Sequence, residues 1–296
     1  MNELKIIALY YYICESYDTE LVWYCQRMSN NAAPAFSDQE LLTIYLYSVM
    51  EEEKYSVKSI WNYAKRYMLS WFPDLPSYQG FNERLNRLAP VFAPLVACLL
   101  RDCDQQGIDR QVSLLDSMPI MTCSGRRAGK VAPELTAKGY CSTKKQHYYG
   151  LKLHSIAFRR AHQMPFPEYL LITPASAHDL STVRPILPRL KNRALFGDKI
   201  YAHNVLQKDL FQTINTQLYT PIRLVNGDND YLRQFKHAAD KLFSRAVSQI
   251  RQPMEAFFNW IIQKTNLQDA SKVRSQRGLI VHVFGKLAAA IALWVF

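Results

Sequence analysis

Val112-Ser113-Leu114-Leu115-Asp116 and Ala194-Leu195-Phe196-Gly197-Asp198 are two short apolar runs, each closed by an aspartate. Runs of this length and make-up read as buried strands, so each aspartate stands at a strand end. A third acid, Glu255, lies in Met254-Glu255-Ala256-Phe257-Phe258-Asn259-Trp260, which has the composition of a packed helix. Carboxylates delivered from neighbouring strand ends and from a packed helix can share a pair of divalent cations, which clamp both oxygens of an in-line phosphoryl displacement. One such aspartate alone is more often a turn residue or a helix cap. The order and setting of all three point to metal-dependent nucleic-acid chemistry.

From Gln111 onward, strands alternate with helices, the pattern of an α/β domain. Strand candidates are 111–116, 147–158, 168–173, 194–198 and 217–222. Leu180, Val183, Leu187 and Leu190 keep helical spacing despite Pro185 and Pro188, and Leu206, Leu210, Phe211 and Ile214 keep it more cleanly. Residues 1–100 read as helical. Ser37-Asp38-Gln39-Glu40 is a capping box opening a helix to Met50, and Val57, Ile60, Trp61, Ala64, Tyr67 and Met68 follow a second helical stripe. A further helix begins near Tyr78, with Phe81, Leu85 and Leu88 on one face and Arg84 and Arg87 nearby. The expectation is an all-helical domain over 1–100 and a mixed sheet flanked by helices over 101–296, ending in a buried C-terminal helix. MNELKIIALYYYICESYD, at the other end, reads as a buried helix.

The 49% hydrophobic content of the 296 residues excludes disorder, and the net charge of +11 is unevenly spread. Residues 1–100 carry 8 Lys+Arg against 11 Asp+Glu, and residues 101–296 carry 28 against 14. A basic protein concentrates polyanions, and nucleic acid is the commonest of these. The second part is therefore expected to supply general phosphate affinity. The net-acidic helical region suits dimerisation or end recognition, touching DNA only through a local basic face such as Arg84 and Arg87. Segment 122–146 holds Arg126, Arg127, Lys130, Lys138, Lys144 and Lys145 with three glycines against the lone acid Glu134, and reads as a loop able to follow a phosphate backbone. The six cysteines form no C-x-x-C pair and no zinc spacing. The N-terminal stretch has no basic leader, and Gly278 to Phe296 contains His282 and Lys286, so the expected location is cytoplasmic with no membrane anchor.

Several motifs together resemble the DDE transposases of bacterial insertion sequences. Leu114-Leu115-Asp116-Ser117 is similar to the family's first-strand aspartate motif and Tyr148-Tyr149-Gly150-Leu151-Lys152-Leu153-His154 to its following strand. Ala177-His178-Asp179 resembles a small-residue-His-Asp turn, Gly197-Asp198-Lys199-Ile200-Tyr201 the second-aspartate motif, and Arg251-Gln252-Pro253-Met254-Glu255 the Arg-x-x-x-Glu of the last catalytic helix. The resemblance implies a ribonuclease-H-like catalytic domain and DNA cleavage with strand transfer by Asp116, Asp198 and Glu255. It also implies two Mg²⁺ ions, with Mn²⁺ able to stand in, held by the same three acids. Partners would be double-stranded DNA, as terminal inverted repeats and target, and further copies of the chain, near the bacterial nucleoid.

DNA contacts are expected from Arg126, Arg127, Lys130, Lys144, Lys145, Lys199 and Arg251. Tyr201 is either a DNA contact or core, and His154 and His178 are either near-site groups or structural. Two departures stand out. Where relatives place a tyrosine three residues before the arginine and a lysine seven after the glutamate, this chain has Ser248 and Ile262, with Lys264 an imperfect substitute. Pro253 is expected to start or kink the helix that carries Glu255. A hydrolytic ribonuclease-H-like nuclease without strand transfer, and a catalytically silent DNA-binding derivative, are the alternative readings.

Overall fold

The computed structural model describes residues 2–25, 34–126, 129–142, 144–222 and 230–296, with side chains from His237 onward in the last segment. Contacts gather the chain into two compact units: Met1–Asp104, Lys130–Glu134 and Ile261–Phe296 form one, and Gln105–Gly129 with Leu135–Trp260 form the other. The C-terminal segment thus groups with the N-terminal helices, so the units follow space rather than a single cut near residue 100.

The first unit is helical: α1 (Glu3–Thr19), α2 (Asp38–Met50), α3 (Val57–Tyr67), α4 (Tyr78–Arg87) and α5 (Phe92–Asp102). The capping box forms as expected, Ser37 Oγ accepting from the Glu40 N–H at 3.1 Å and the Glu40 carboxylate accepting from the Ser37 N–H at 2.5 Å. Helix α2 is buried almost all round. By contrast α1 buries only the stripe Ile6, Leu9, Ile13 and Ser16 and exposes Leu4, Ile7 and Tyr11, so it is an amphipathic surface helix rather than a buried one. Arg84 and Arg87 do not offer a DNA-reading face: both guanidinium groups turn onto buried Asp38, at 2.8 and 3.3 Å.

The second unit is built on a six-stranded sheet: β1 (Ile108–Ser124), β2 (Ala137–Cys141), β3 (Gln146–Arg160), β4 (Phe166–Pro174), β5 (Ala194–Phe196) and β6 (Gln217–Tyr219). β1, β3 and β4 form an antiparallel meander, and β5 and β6 add on the other side of β1 in parallel. Three antiparallel strands followed by two parallel ones around a central first strand is the ribonuclease-H-like arrangement. β2 is an addition within the segment expected to be a loop. It takes the first half of β3's second edge and β4 takes the rest, which is possible because β3 is 15 residues long.

Helices α6 (Asp179–Val183) and α7 (Asn204–Ile214) cover one face. There Leu115, Ile156, Leu195 and Leu218 of the sheet pack with Val183, Leu187, Leu190, Leu206 and Leu210. The stretch expected to be one helix over 180–190 is α6 followed by a 3₁₀ turn at Leu187–Arg189, because Pro185 and Pro188 remove the N–H groups a continuous helix requires. Helix α8 (Asp230–Thr265) crosses the other face, where Tyr219 stacks on Phe196 and meets Phe243 at a tilt. Pro253 therefore does not start this helix; it lies inside it. α9 (Gln276–Ile280), a π turn (Val281–Gly285) and α10 (Lys286–Val295) complete the first unit. The 20-residue run Gln276–Val295 is long and apolar enough to cross a bilayer, but most of it is buried within its own unit.

Gly150, in the middle of β3, pairs with Met121 on one side and Ala137 on the other. A Cβ at this position would overlap the backbone carbonyl oxygen of Ile120, which cannot swing aside as a side chain can. Gly150→Ala is therefore expected to destabilise the protein by about 3 kcal/mol, the range of overpacked sites. Urea unfolding would measure it, and a loss below about 0.5 kcal/mol would contradict the close strand approach.

Candidate active site

Alternation along β1 and β5 explains how two acids meet. The strands run parallel with Leu114 paired to Phe196, so Asp116 projects from β1 to the face of Phe196, and Asp198, two residues beyond Phe196, follows β5 closely enough for its charge to act on Asp116. Asp116 is still within β1, which continues eight residues further. Asp198 lies past the end of β5, where it caps the 3₁₀ turn Lys199–Tyr201 through a 2.7 Å hydrogen bond from the Lys199 N–H.

Helix α8 crosses this same face and brings the third acid. Arg251 and Glu255 are one turn apart, and the guanidinium reaches both carboxylates: Nη1 to Asp116 Oδ2 at 2.5 Å and Nη2 to Glu255 Oε1 at 3.2 Å. Asp116 is largely shielded, its side chain 18% exposed, whereas Glu255 is open at 59%. Burial pushes the Asp116 carboxyl up to about 6, and the charges of Asp198 and Glu255 push the same way. Arg251 and the Ser117 N–H, which donates to Asp116 Oδ1 at 2.9 Å, pull it back.

Among the described residues no three His, Cys, Asp or Glu side chains form a ready-made metal cage. Arg251 stands between two of the acids instead. The chemistry of the donors nonetheless fits a hard divalent cation: the three acids offer oxygen only, and they repel one another in a setting where desolvation already disfavours charge.

Behind this site, on the opposite face of the sheet, lies a polar network drawn from three of the motifs. Ser117, whose N–H serves Asp116, donates its hydroxyl to Asp179 Oδ2 at 3.0 Å. Asp179 is buried at the start of α6 and takes Lys152 Nζ at 2.6 Å, while Lys152 also donates to the Ala177 carbonyl. His154 is fully buried beside them, its Nε2 2.8 Å from Thr173 Oγ1 and its Nδ1 3.8 Å from Asp179. Burial lowers its pKa to about 4, with Asp179 opposing, so it is neutral; it faces away from Asp116 across the sheet and bonds Thr173, the setting of a structural group. The register Ser117↔His154 puts these groups side by side. Two polar residues at alternate positions, Lys152 and His154, in an otherwise apolar strand were the available signal. His178 is exposed at the start of α6.

The Gly197-Asp198-Lys199-Ile200-Tyr201 motif has a packing explanation. Tyr201 is 1% exposed and belongs to the core on the α6/α7 face, and its ring covers Gly197 so closely that a Cβ there would touch it at 2.8 Å. Tyr201 is therefore core, not a DNA contact. Its hydroxyl has no hydrogen-bond partner among the described residues, and burial, followed by the charges of Asp179, Asp116 and Asp198, drives its pKa well up.

The basic residues fall into groups. Arg251 and Lys199 adjoin the acids. Arg126 follows the end of β1, where the Gly125 N–H bonds the His147 carbonyl, and Lys144 and Lys145 occupy the turn between β2 and β3 at that same end of the sheet. All three are exposed. From Asp116 to Ser124 the strand runs about 26 Å at roughly 3.3 Å per residue, so this cluster is well separated from the acids. Lys130 groups with the helical unit, and Arg127 lies outside the described residues. Lys264, the imperfect substitute, lies 3.9 Å from Glu53.

A search of solved structures finds similarity to a chain described as "Crystal structure of a pre-cleavage Mos1 transpososome", at 13% identity and a TM-score of 0.23, covering 92% of this chain and 82% of that one. Such a score carries no argument here. A search of curated proteins gives no match. The family model described as "Transposase DDE domain" matches residues 107–292, which takes in β1 through most of α10 and all three acids. The chain belongs to the Transposase DDE domain family.

Proposed function

We propose that this protein is a DNA transposase that cuts the ends of its element and joins them to target DNA, using Asp116, Asp198 and Glu255. The observation that carries the reading is the pairing of Leu114 with Phe196, which brings the two aspartates close together near the helix that bears Glu255. Divalent cations bound by these acids, Mg²⁺ with Mn²⁺ as substitute, would activate the attacking hydroxyl and stabilise the leaving oxygen. Asp116 supplies the shielded ligand, and its raised affinity for protons makes it the group whose ionisation limits binding. Arg251 neutralises Asp116 and Glu255 while the acids are without cations and is placed to move onto a phosphate oxygen when they are not. Ser117 and Asp179 fix the strand from which Asp116 projects.

DNA is the proposed partner, with copies of the same chain pairing two ends, and the proposed location is the cytoplasm. The exposed cluster of Arg126, Lys144 and Lys145 suits a duplex whose far side is held about 26 Å from the scissile phosphate, roughly eight base pairs. Replacing all three by alanine is expected to weaken binding equally for specific and random duplexes and to reduce the slope of log K against log salt by about 3. An unchanged slope, measured by fluorescence anisotropy, places the backbone contacts elsewhere.

The proposed activity is tested with a duplex carrying the inverted repeats that bracket the gene. Mg²⁺-dependent cleavage at the repeat boundary is expected, with random duplex left largely intact. Cleavage indifferent to the repeat would reduce the protein to a general nuclease.

A further inference from the structure

The helical unit contains a cavity of about 800 Å³ that the proposed chemistry does not use. Its setting is unusual for that unit. Lys54, Lys58, Lys272, Arg274 and Lys286 line it, against Glu53 and Asp269, so it is a positive concavity in a region whose first 100 residues are net acidic. Lys286 is the informative member. It is 2% exposed, and its ammonium, with three protons to donate, reaches the Asn266 carbonyl at 3.0 Å and lies 5.6 Å from the centre of the Tyr55 ring. A lysine so deeply placed is seldom retained without a charge partner, and the charge that acts on this one is Asp269.

Local structure is bent to present it. The π turn Val281–Gly285 sets His282 and Lys286 against the same loop, His282 Nε2 lying 2.9 Å from the Leu267 carbonyl. Gly285 lets the Tyr45 hydroxyl approach within 2.7 Å, and its ring within 2.8 Å, of where a Cβ would be, which brings a second aromatic side chain to the cavity wall. The volume is many times that of a bare phosphate and within the range of sites for drug-sized ligands.

We propose that this cavity is a nucleotide-binding site, in which Lys286 and the rim cations Lys58 and Arg274 hold the phosphate and the tyrosine-lined wall takes the base. Burial lowers Lys286 to about 7, with Asp269 raising it, and His282 is lowered to about 3 and so neutral. Tyr45, driven up by burial, and Tyr55 are neutral too, which leaves Asp269 as the anion acting on Lys286, Glu53 being the other acid in the lining. A bound phosphate would add to that anion and hold Lys286 protonated. The nucleotide is either free in solution or an unpaired one at a DNA end.

Isothermal titration of the full chain in EDTA, which removes any role of the acidic site, tests this with dAMP and inorganic phosphate as probes. The expected result is saturable dAMP binding at least tenfold tighter than phosphate and at least tenfold weaker in Lys58→Ala/Arg274→Ala. Lys286→Met should lose it, with circular dichroism establishing that the variant folds; if it does not, the surface double variant decides. A duplex with a three-nucleotide overhang that displaces dAMP, where a blunt duplex does not, identifies the DNA source, and failure of both to displace it identifies a free nucleotide. No dAMP binding, phosphate binding as tightly, or binding unchanged in the double variant overturns the proposal.

Discussion

Asp116→Ala, Asp198→Ala and Glu255→Ala are each expected to lower strand cleavage by at least about 10³-fold, with DNA binding and fold retained. The three substitutions act differently on the protein without cations. Asp198 and Glu255 are exposed, so their loss changes little structurally. Asp116 is shielded and carries a carboxyl raised to about 6, so the folded state holds its proton more tightly than the unfolded chain does. Stability from this group is complete below the unfolded value near 4 and is lost as pH rises through about 6. At neutral pH Mg²⁺ should offset that loss. A rise in melting temperature with Mg²⁺ is expected above pH 6, is expected to fade below it as protons compete, and should vanish in Asp116→Asn. Differential scanning fluorimetry across pH reads this directly, and a Mg²⁺ effect that survives in Asp116→Asn would remove Asp116 from the ligand set.

Arg251→Ala is the second large effect, expected to lower cleavage about 100-fold. The guanidinium serves Asp116 and Glu255 at once, and without it the Asp116 carboxyl loses the charge that holds it down. The acid limb of the pH–rate profile should therefore move to higher pH, a shift that a merely structural residue would not produce. Arg251→Lys should restore only part of the rate, because one ammonium cannot fork between two carboxylates. A variant with the wild-type profile and rate would show that Arg251 is a surface pair.

What the sequence made legible was what depends on local period. The apolar runs before Asp116 and Asp198, the four-residue spacing of Arg251 and Glu255, and the capping box at Ser37 read correctly, because strand alternation and helical turns are short-range properties; Asp116 is not the strand end expected of it, since β1 runs on to Ser124. The mixed sheet with a helical N-terminal region followed from their order. Long-range pairing was not legible. β2 was hidden in a glycine-rich basic segment that becomes a strand only because β3 offers it an edge. Arg84 and Arg87 looked like a DNA face because nothing local shows that Asp38, more than 40 residues earlier, takes both. Lys152, Asp179 and Ser117 come from three separate segments and acquire a common purpose only in the folded sheet. Of the two expectations for Pro253, that it starts the helix fails: its helix-breaking tendency, about 3 kcal/mol, is overridden in a 36-residue helix that buries Met254, Phe257 and Phe258 around it.

The central claim is that the three acids carry both cutting and joining. The most direct test supplies a pre-cut element end with a 3′-hydroxyl, a supercoiled target plasmid and Mg²⁺, and scores covalent joining on a gel. Joined product is expected with the wild-type chain, none in EDTA, and none with Asp116→Asn, Asp198→Asn or Glu255→Gln. Joining that persists in any one of these variants at the wild-type rate, or a wild-type chain that only hydrolyses the target, would contradict it.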